Sequence, residues 1–97
     1  MRGLEPQRTL ATSPWSAEVV ASDPRSVTVR VRGPQRLSGR VRIRLGRRRW
    51  YRATWEGPEG AERSARAFGA ISGLRGDRDV QVRIDDVVID AGILREV

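Results

Sequence analysis

The sequence predicts a small all-β domain built around one hydrophobic core, and three observations support this. Apolar and polar residues alternate along several short segments, and a period of two is typical of strands that bury one face. Turn-forming residues separate the segments at intervals of about 8–12 residues, which is typical of a β-sandwich or barrel. The chain has 97 residues, the length of a single domain.

The N-terminal half contains four predicted strands, which are 16–21, 26–32, 40–45 and 50–56. The second and third alternate without interruption, and the fourth is rich in residues that favour strands. The side chains predicted to face inward from these three are Val27, Val29 and Val31, then Val41, Ile43 and Leu45, then Tyr51, Ala53 and Trp55. Arginines occupy most of the alternate positions, so the opposite face of each strand is predicted to be exposed to solvent.

The C-terminal third is organised around an alternating segment with Val80, Val82 and Ile84 on one face. We predict that these three residues point inward and meet the apolar rows of the second and third strands across the interior. The pair Asp85-Asp86 is predicted to turn the chain. Two further strands are expected at about 65–72 and at 87–90, with 91–97 either extending the last strand or closing the domain.

The first 14 residues are polar and show no period, and they contain Pro6 and Pro14. We expect residues 1–14 to form an extended N-terminal arm and residues 15–97 to form the single β-domain. Trp15, at their junction, is expected to attach the arm to the domain. Neither a signal-peptide core nor an apolar run of about 20 residues occurs, so a cytoplasmic or virion-associated protein is expected.

Charge is distributed unevenly along the chain. The net charge is +7, and all 19 basic residues are arginine. Residues 1–55 contain 13 arginines and three acids, a net +10, whereas residues 56–97 contain six arginines and nine acids, a net −3. Such a basic half can neutralise phosphates. Alternating arginines also keep strand faces solvated and discourage edge pairing, which is the simpler interpretation.

The candidate partner-binding residues are those in which this charge accompanies aromatic rings, namely Arg40, Arg42, Arg44, Arg47, Arg48, Arg49, Trp50, Arg52 and Trp15. Guanidinium groups suit phosphates and carboxylates, and aromatic rings accept stacked bases. Topology decides how far these residues cooperate. In a barrel, Arg30 and Arg32 would lie beside the third strand, whereas in a sandwich the two strands belong to different sheets.

Three segments resemble a fibronectin type III domain. Residues 18–31 are similar to its first two strands and their corner, 39–45 to its third strand, and 71–84 to its hydrophobe-Gly-Leu corner and sixth strand. The family's second-strand Trp and corner Tyr are missing, since Val31 or Arg32 and Val80 stand there. The resemblance implies a Greek-key β-sandwich that serves as a binding or spacer module. The alternative is a small OB-like β-barrel, a type that often binds nucleic acid.

Composition argues against catalysis, because the chain has no His or Cys and nothing places two carboxylates across a cleft. The C-terminal aspartates match no calcium-loop spacing, so neither a metal nor a cofactor is expected. The tripeptide Arg75-Gly76-Asp77 matches the integrin-binding sequence, but an ordinary glycine turn explains it as well. We therefore expect a non-enzymatic interaction module with protein partners, an accessory or decoration component of an assembly such as a phage virion. The alternative is a nucleic-acid-binding β-domain with an Arg-rich surface.

Overall fold

A computed structural model describes residues 14–69 and 76–95 of the chain. All the regular secondary structure within these two ranges is β-strand, so the all-β prediction is confirmed. The strands are β1 (Ser16–Ser22), β2 (Ser26–Arg32), β3 (Val41–Leu45), β4 (Tyr51–Glu56), β5 (Glu62–Phe68), β6 (Arg78–Ile84) and β7 (Val87–Leu94). Most of the expected N-terminal arm and the corner at 71–75 lie outside the described residues.

The seven strands form one antiparallel sheet in the order β1-β2-β5-β4-β3-β6-β7. The chain runs through β3, β4 and β5 as neighbours and then returns to place β6 beside β3, which is a Greek-key arrangement. The outer strands β1 and β7 approach to Cα–Cα distances within 8 Å, so the sheet is curled into a nearly closed barrel. Pairing between β4 and β5 joins the two parts that would be separate sheets in an open sandwich.

Alternation determines which side chains fill the interior. The largest fully buried side chains of the strands come from β2, β3 and β6, namely Val27, Val29, Val31, Ile43, Leu45, Val80 and Val82, and β5 adds the fully buried Ala65 and Ala67. The predicted inward orientation of Val80, Val82 and Ile84 is confirmed, and they share one core cluster with the β2 and β3 rows. The expectation that β3 meets β6 across the interior is wrong, because the two strands are hydrogen-bonded neighbours with Ile43 opposite Val82.

The fifth strand lies earlier than predicted, at Glu62–Phe68 rather than 65–72. Its start carries no alternation of hydrophobicity, since it reads Glu-Arg-Ser-Ala-Arg. Pairing with β2 fixes it instead, from Glu62 opposite Arg32 to Phe68 opposite Ser26. The last strand continues to Leu94, and it buries Ala91 and Leu94 beyond the predicted 87–90.

Polar turns set the strand ends. The carboxylate of Asp23 accepts hydrogen bonds from the backbone N–H of Arg25 and of Ser26, both at 2.8 Å. The Arg25 N–H and, next, the Ser26 hydroxyl hold the pKa of Asp23 below its usual range. The predicted turn at Asp85-Asp86 is confirmed, and Asp85 adopts a φ of 51°, a left-handed conformation that aspartate tolerates.

The inward-pointing Arg63 lies on the same side of β5 as the buried Ala65 and Ala67, and it connects two loops. The guanidinium of Arg63 donates to the carbonyls of Leu37 (3.1 Å) and Gly57 (3.2 Å), and it lies 5.4 Å from the Trp55 ring centroid. The Trp55 indole N–H in turn donates to Gly39 O at 3.0 Å. Arg63 therefore ties the loop after β2 to the loop after β4.

Candidate binding surface

Three arginines stand side by side across the middle of the sheet. Arg42 on β3 is directly opposite Arg52 on β4 and directly opposite Arg83 on β6. With neighbouring strands about 4.8 Å apart, this arginine row places three guanidinium-bearing residues within a span of about 10 Å. Like charges directly opposite each other destabilise a sheet. The arginine row is therefore a local electrostatic cost to the fold.

Acidic partners do not offset this cost within the described part of the chain. There, no carboxylate forms an ion pair with Arg42, Arg52 or Arg83. Arg83 donates instead to the backbone carbonyl of Asp85, at 3.0 Å. The row thus presents net positive charge to the solvent.

A guanidinium–indole pair adjoins the arginine row. Arg44, two residues along β3 from Arg42, lies over the Trp50 ring with its guanidinium carbon 4.5 Å from the centroid. Gln81 on β6 accepts hydrogen bonds from Nε of Arg44, at 3.1 Å, and from its Nη2. These contacts fix the Arg44 side chain while its charge remains unneutralised, because an amide carries no charge. Trp50 itself is half-buried.

The remaining predicted arginines extend this surface at the two ends of β3. Arg40 is exposed at one end, beside the Asp85-Asp86 turn. At the other end, Arg47 and Arg49 are exposed in the turn before β4, and the guanidinium of Arg49 lies 5.3 Å from the Tyr51 ring centroid. We call the outer face of β3, β4 and β6 the basic face. Its defining residues are Arg42, Arg44, Arg52, Arg83 and Trp50.

The outer surface of β1, β2 and β5 is organised differently, and we call it the paired face. Its arginines each have an acidic partner, in the ion pairs Arg30–Glu18 (3.6 Å), Arg32–Glu62 (2.9 Å) and Arg66–Glu56 (3.5 Å). The hydrogen bond from Arg32 holds the pKa of Glu62 below its usual range and raises that of Arg32. Charge on this face is therefore largely neutralised locally.

The structure brings most of the sequence-predicted residues together, but not all. Trp15 packs against the core, next to Gly33 and Leu37, so it does not belong to the basic face. A Cβ on Gly33 would lie 2.8 Å from Cζ3 of Trp15, which leaves room only for glycine there. Arg30 and Arg32 belong to the same sheet as β3 but are separated from it by two strands, so the expectation that a barrel would place them beside β3 is wrong.

Sequence reasoning missed two residues of this surface. Arg83 lies between the inward-pointing Val82 and Ile84, so its outward orientation could be predicted from the sequence. Its position beside Arg42 could not, because it depends on the pairing of β3 with β6. Among the described residues, Phe68 is the most exposed of the large hydrophobic ones, at 64%. A lone phenylalanine at the end of a poorly patterned segment gives no sequence signal of exposure.

Other candidate chemistry finds no support in the structure. Within 14–69 and 76–95, no group of three acidic side chains is placed to hold a metal ion. Asp77 lies 3.5 Å from Arg95 in an ion pair, and Arg75 of the tripeptide is outside the described residues. In the same ranges no helix is long and apolar enough to cross a membrane.

Comparison of the chain with known proteins identified no related protein. No family model, curated protein or solved structure matches this chain. The function must therefore be argued from the chain's own surface.

Proposed function

We propose that the protein is a non-enzymatic interaction module that docks onto a polyanionic surface in a larger assembly through its basic face. The observation that carries this proposal is the arginine row, in which Arg42 has an arginine opposite it on both sides. A bound polyanion would convert the repulsion within the row into attraction, because each guanidinium would then face a negative group.

The contrast with the paired face supports this reading. Where arginines serve only to keep a strand face wet, acids on neighbouring strands neutralise them, as in Arg32–Glu62. Asp85 and Asp86 line a surface pocket with Arg42 and Arg83, and Asp79 lies on the outer side of β6, but in the described residues none of these acids forms an ion pair with the arginine row. Its charge is available to a partner.

An accessory role in an assembly such as a phage virion is the setting we propose for this interaction. The likeness to fibronectin type III segments supports use of a β-domain as a binding module, and the missing His and Cys argue against chemistry of its own. A nucleoprotein particle presents polyanionic surfaces, so it would supply the partner that the basic face requires.

The test compares two charge-matched variants. Arg42→Gln/Arg52→Gln removes two charges from the basic face, and Arg30→Gln/Arg32→Gln removes two from the paired face. We measure binding to long-chain inorganic polyphosphate across a salt series. The first variant should bind about 10-fold or more weakly with a shallower dependence on salt, because fewer counterions are released. The second should stay close to the wild type. Equal losses in both variants, or none in either, would contradict the proposal.

A further inference from the structure

Two aromatic rings lie close to the arginine row. Phe68, the last residue of β5, is 64% exposed. Ala53 of β4 is opposite Ala67 of β5, and continuing this antiparallel register by one residue places Arg52 beside Phe68. Phe68 thus extends the row by one strand, so that an exposed apolar ring lies beside Arg52, the member of the row that is nearest to β5.

Trp50 provides the second ring. It precedes Arg52 by two residues, and its contact with Arg44 shows that its ring lies on the outer side of the sheet. Trp50 lies immediately before β4, so the two rings flank Arg52, with Trp50 before it along the chain and Phe68 beside it on β5. Bases stack on indole rings and on guanidinium planes alike, so the Arg44–Trp50 pair is itself a stacking platform.

We infer that the basic face binds single-stranded nucleic acid, with bases stacked on Phe68 and Trp50 and with phosphates on the arginine row. This inference rests on the proposed function and names its partner. Positive grooves that combine guanidinium groups with aromatic stacking surfaces are typical of proteins that bind single strands without sequence preference. Charge complementarity accounts for the arginines, and stacking accounts for the exposed ring of Phe68.

A single strand suits this surface better than a duplex. In a duplex the bases are already stacked on each other, so no base face is free to stack on an exposed aromatic ring. Readers of the major groove insert a helix or a two-stranded ribbon, and the described residues form a curled sheet with no helix. An acidic protein partner would use the arginines but would leave the role of two rings beside them unexplained.

The experiment measures binding to four probes, which are a 20-nucleotide oligo-dT, a 20-nucleotide oligo-U, a 20-base-pair duplex and inorganic polyphosphate. Phe68→Ala and Trp50→Ala each remove one ring, and Phe68→Tyr keeps it. Val88→Ala is the matched control, because Val88 is opposite Arg83, is 52% exposed and has no ring. Circular dichroism verifies that each variant is folded, and the exposure of Phe68 makes its variants the safest test.

We expect the wild type to bind both single strands more tightly than the duplex. Phe68→Ala and Trp50→Ala should each lose about 5- to 150-fold in affinity for the single strands, the equivalent of one stacked base, and little for polyphosphate. Phe68→Tyr and Val88→Ala should bind like the wild type.

Each failure has its own reading. If both ring-removing variants bind the oligonucleotides as the wild type does, or if the duplex binds as tightly as the single strands, the inference is wrong while polyanion docking stands. Binding to polyphosphate but not to oligonucleotides would also overturn it and would favour another polyanionic partner. Unchanged binding of Arg42→Gln/Arg52→Gln to all four probes would overturn the proposed function itself.

Discussion

The paired face and the basic face belong to the same sheet, which points apolar side chains inward and carries arginines among its outward-pointing side chains. They differ in what lies opposite each arginine. Glu62 stands opposite Arg32 on the paired face, whereas Arg52 and Arg83 stand opposite Arg42 on the basic face. Strand register, more than composition, therefore decides which arginines are neutralised by a neighbouring acid and which face other arginines.

The comparison also explains how one small sheet can carry a charged surface without losing its fold. Both faces cover a single core, and the β4–β5 pairing joins them. The repulsion in the arginine row is thus offset by burial of apolar side chains on the opposite side of the same strands. If this division is right, disturbing the shared core changes stability most and protonating one exposed carboxylate changes it least.

The largest effect is expected from the shared core. Ile43→Ala removes a fully buried side chain from β3, and it should lower the free energy of unfolding by about 2–5 kcal/mol. Chemical denaturation followed by both fluorescence and circular dichroism should show one transition, because the two faces unfold together. The exposed Thr54→Ala on β4 is the control, with an effect within about 0.5 kcal/mol. Two separate transitions would mean that the faces belong to independent units.

A smaller loss is expected at the inward-pointing arginine. Arg63→Lys keeps the charge but cannot reproduce the hydrogen bonds to both Leu37 O and Gly57 O or the stacking on Trp55. We expect about 1–3 kcal/mol less stability, measured by urea denaturation. Arg30→Lys on the paired face is the control and should change little, because exposed ion pairs contribute little to stability. Equal effects would show that Arg63 acts only through its charge.

Opposite signs are expected when an arginine of each face becomes acidic. Arg42→Glu places a carboxylate between Arg52 and Arg83, and it should raise the free energy of unfolding by about 0.5–2 kcal/mol, since two like-charge pairs become attractive. Arg66→Glu breaks the ion pair with Glu56 and should lower stability. Thermal denaturation at low salt measures both. Effects of the same sign would contradict the distinction between the faces.

The smallest effect is expected in how the stability of the fold depends on pH in the acid range. Arg32 holds the pKa of Glu62 below the ordinary 4.5, so the pair stabilises the fold above that pH. This contribution is lost as the pH falls from about 4.5 through the lower pKa of folded Glu62, because the unfolded state then binds the proton first. Arg32→Gln should make the acid side of the stability profile less steep, as followed by thermal denaturation between pH 6 and 3. Arg42→Gln, which loses no acidic partner, should leave its shape unchanged.

Much of the fold was predictable because burial follows a period of two along each strand. Val29, Ile43 and Val82 are buried where alternation places them. The start of β5 was not predictable, since Arg63 points inward and is held there by the carbonyl of Leu37, 26 residues away in sequence, and by that of Gly57 in the preceding loop. A local hydropathy pattern contains no information about such partners.

The candidate site was predictable in its residues but not in its geometry. Arg42 and Arg52 were identified as candidates from the run of arginines between positions 30 and 52. Their position beside each other and beside Arg83 depends on pairings between strands that are far apart in sequence. Trp15 was grouped with them by type alone, and the structure places it against the core.

The approach of β1 to β7 limits the ways in which a partner can attach. An added strand would need about 9.6 Å between its two neighbours, whereas the Cα atoms of these strands come within 8 Å of each other. A peptide therefore cannot pair its main chain with both β1 and β7 unless these two strands first move apart. The proposed partner would therefore be bound by side chains on a curved surface that is already formed when the protein folds.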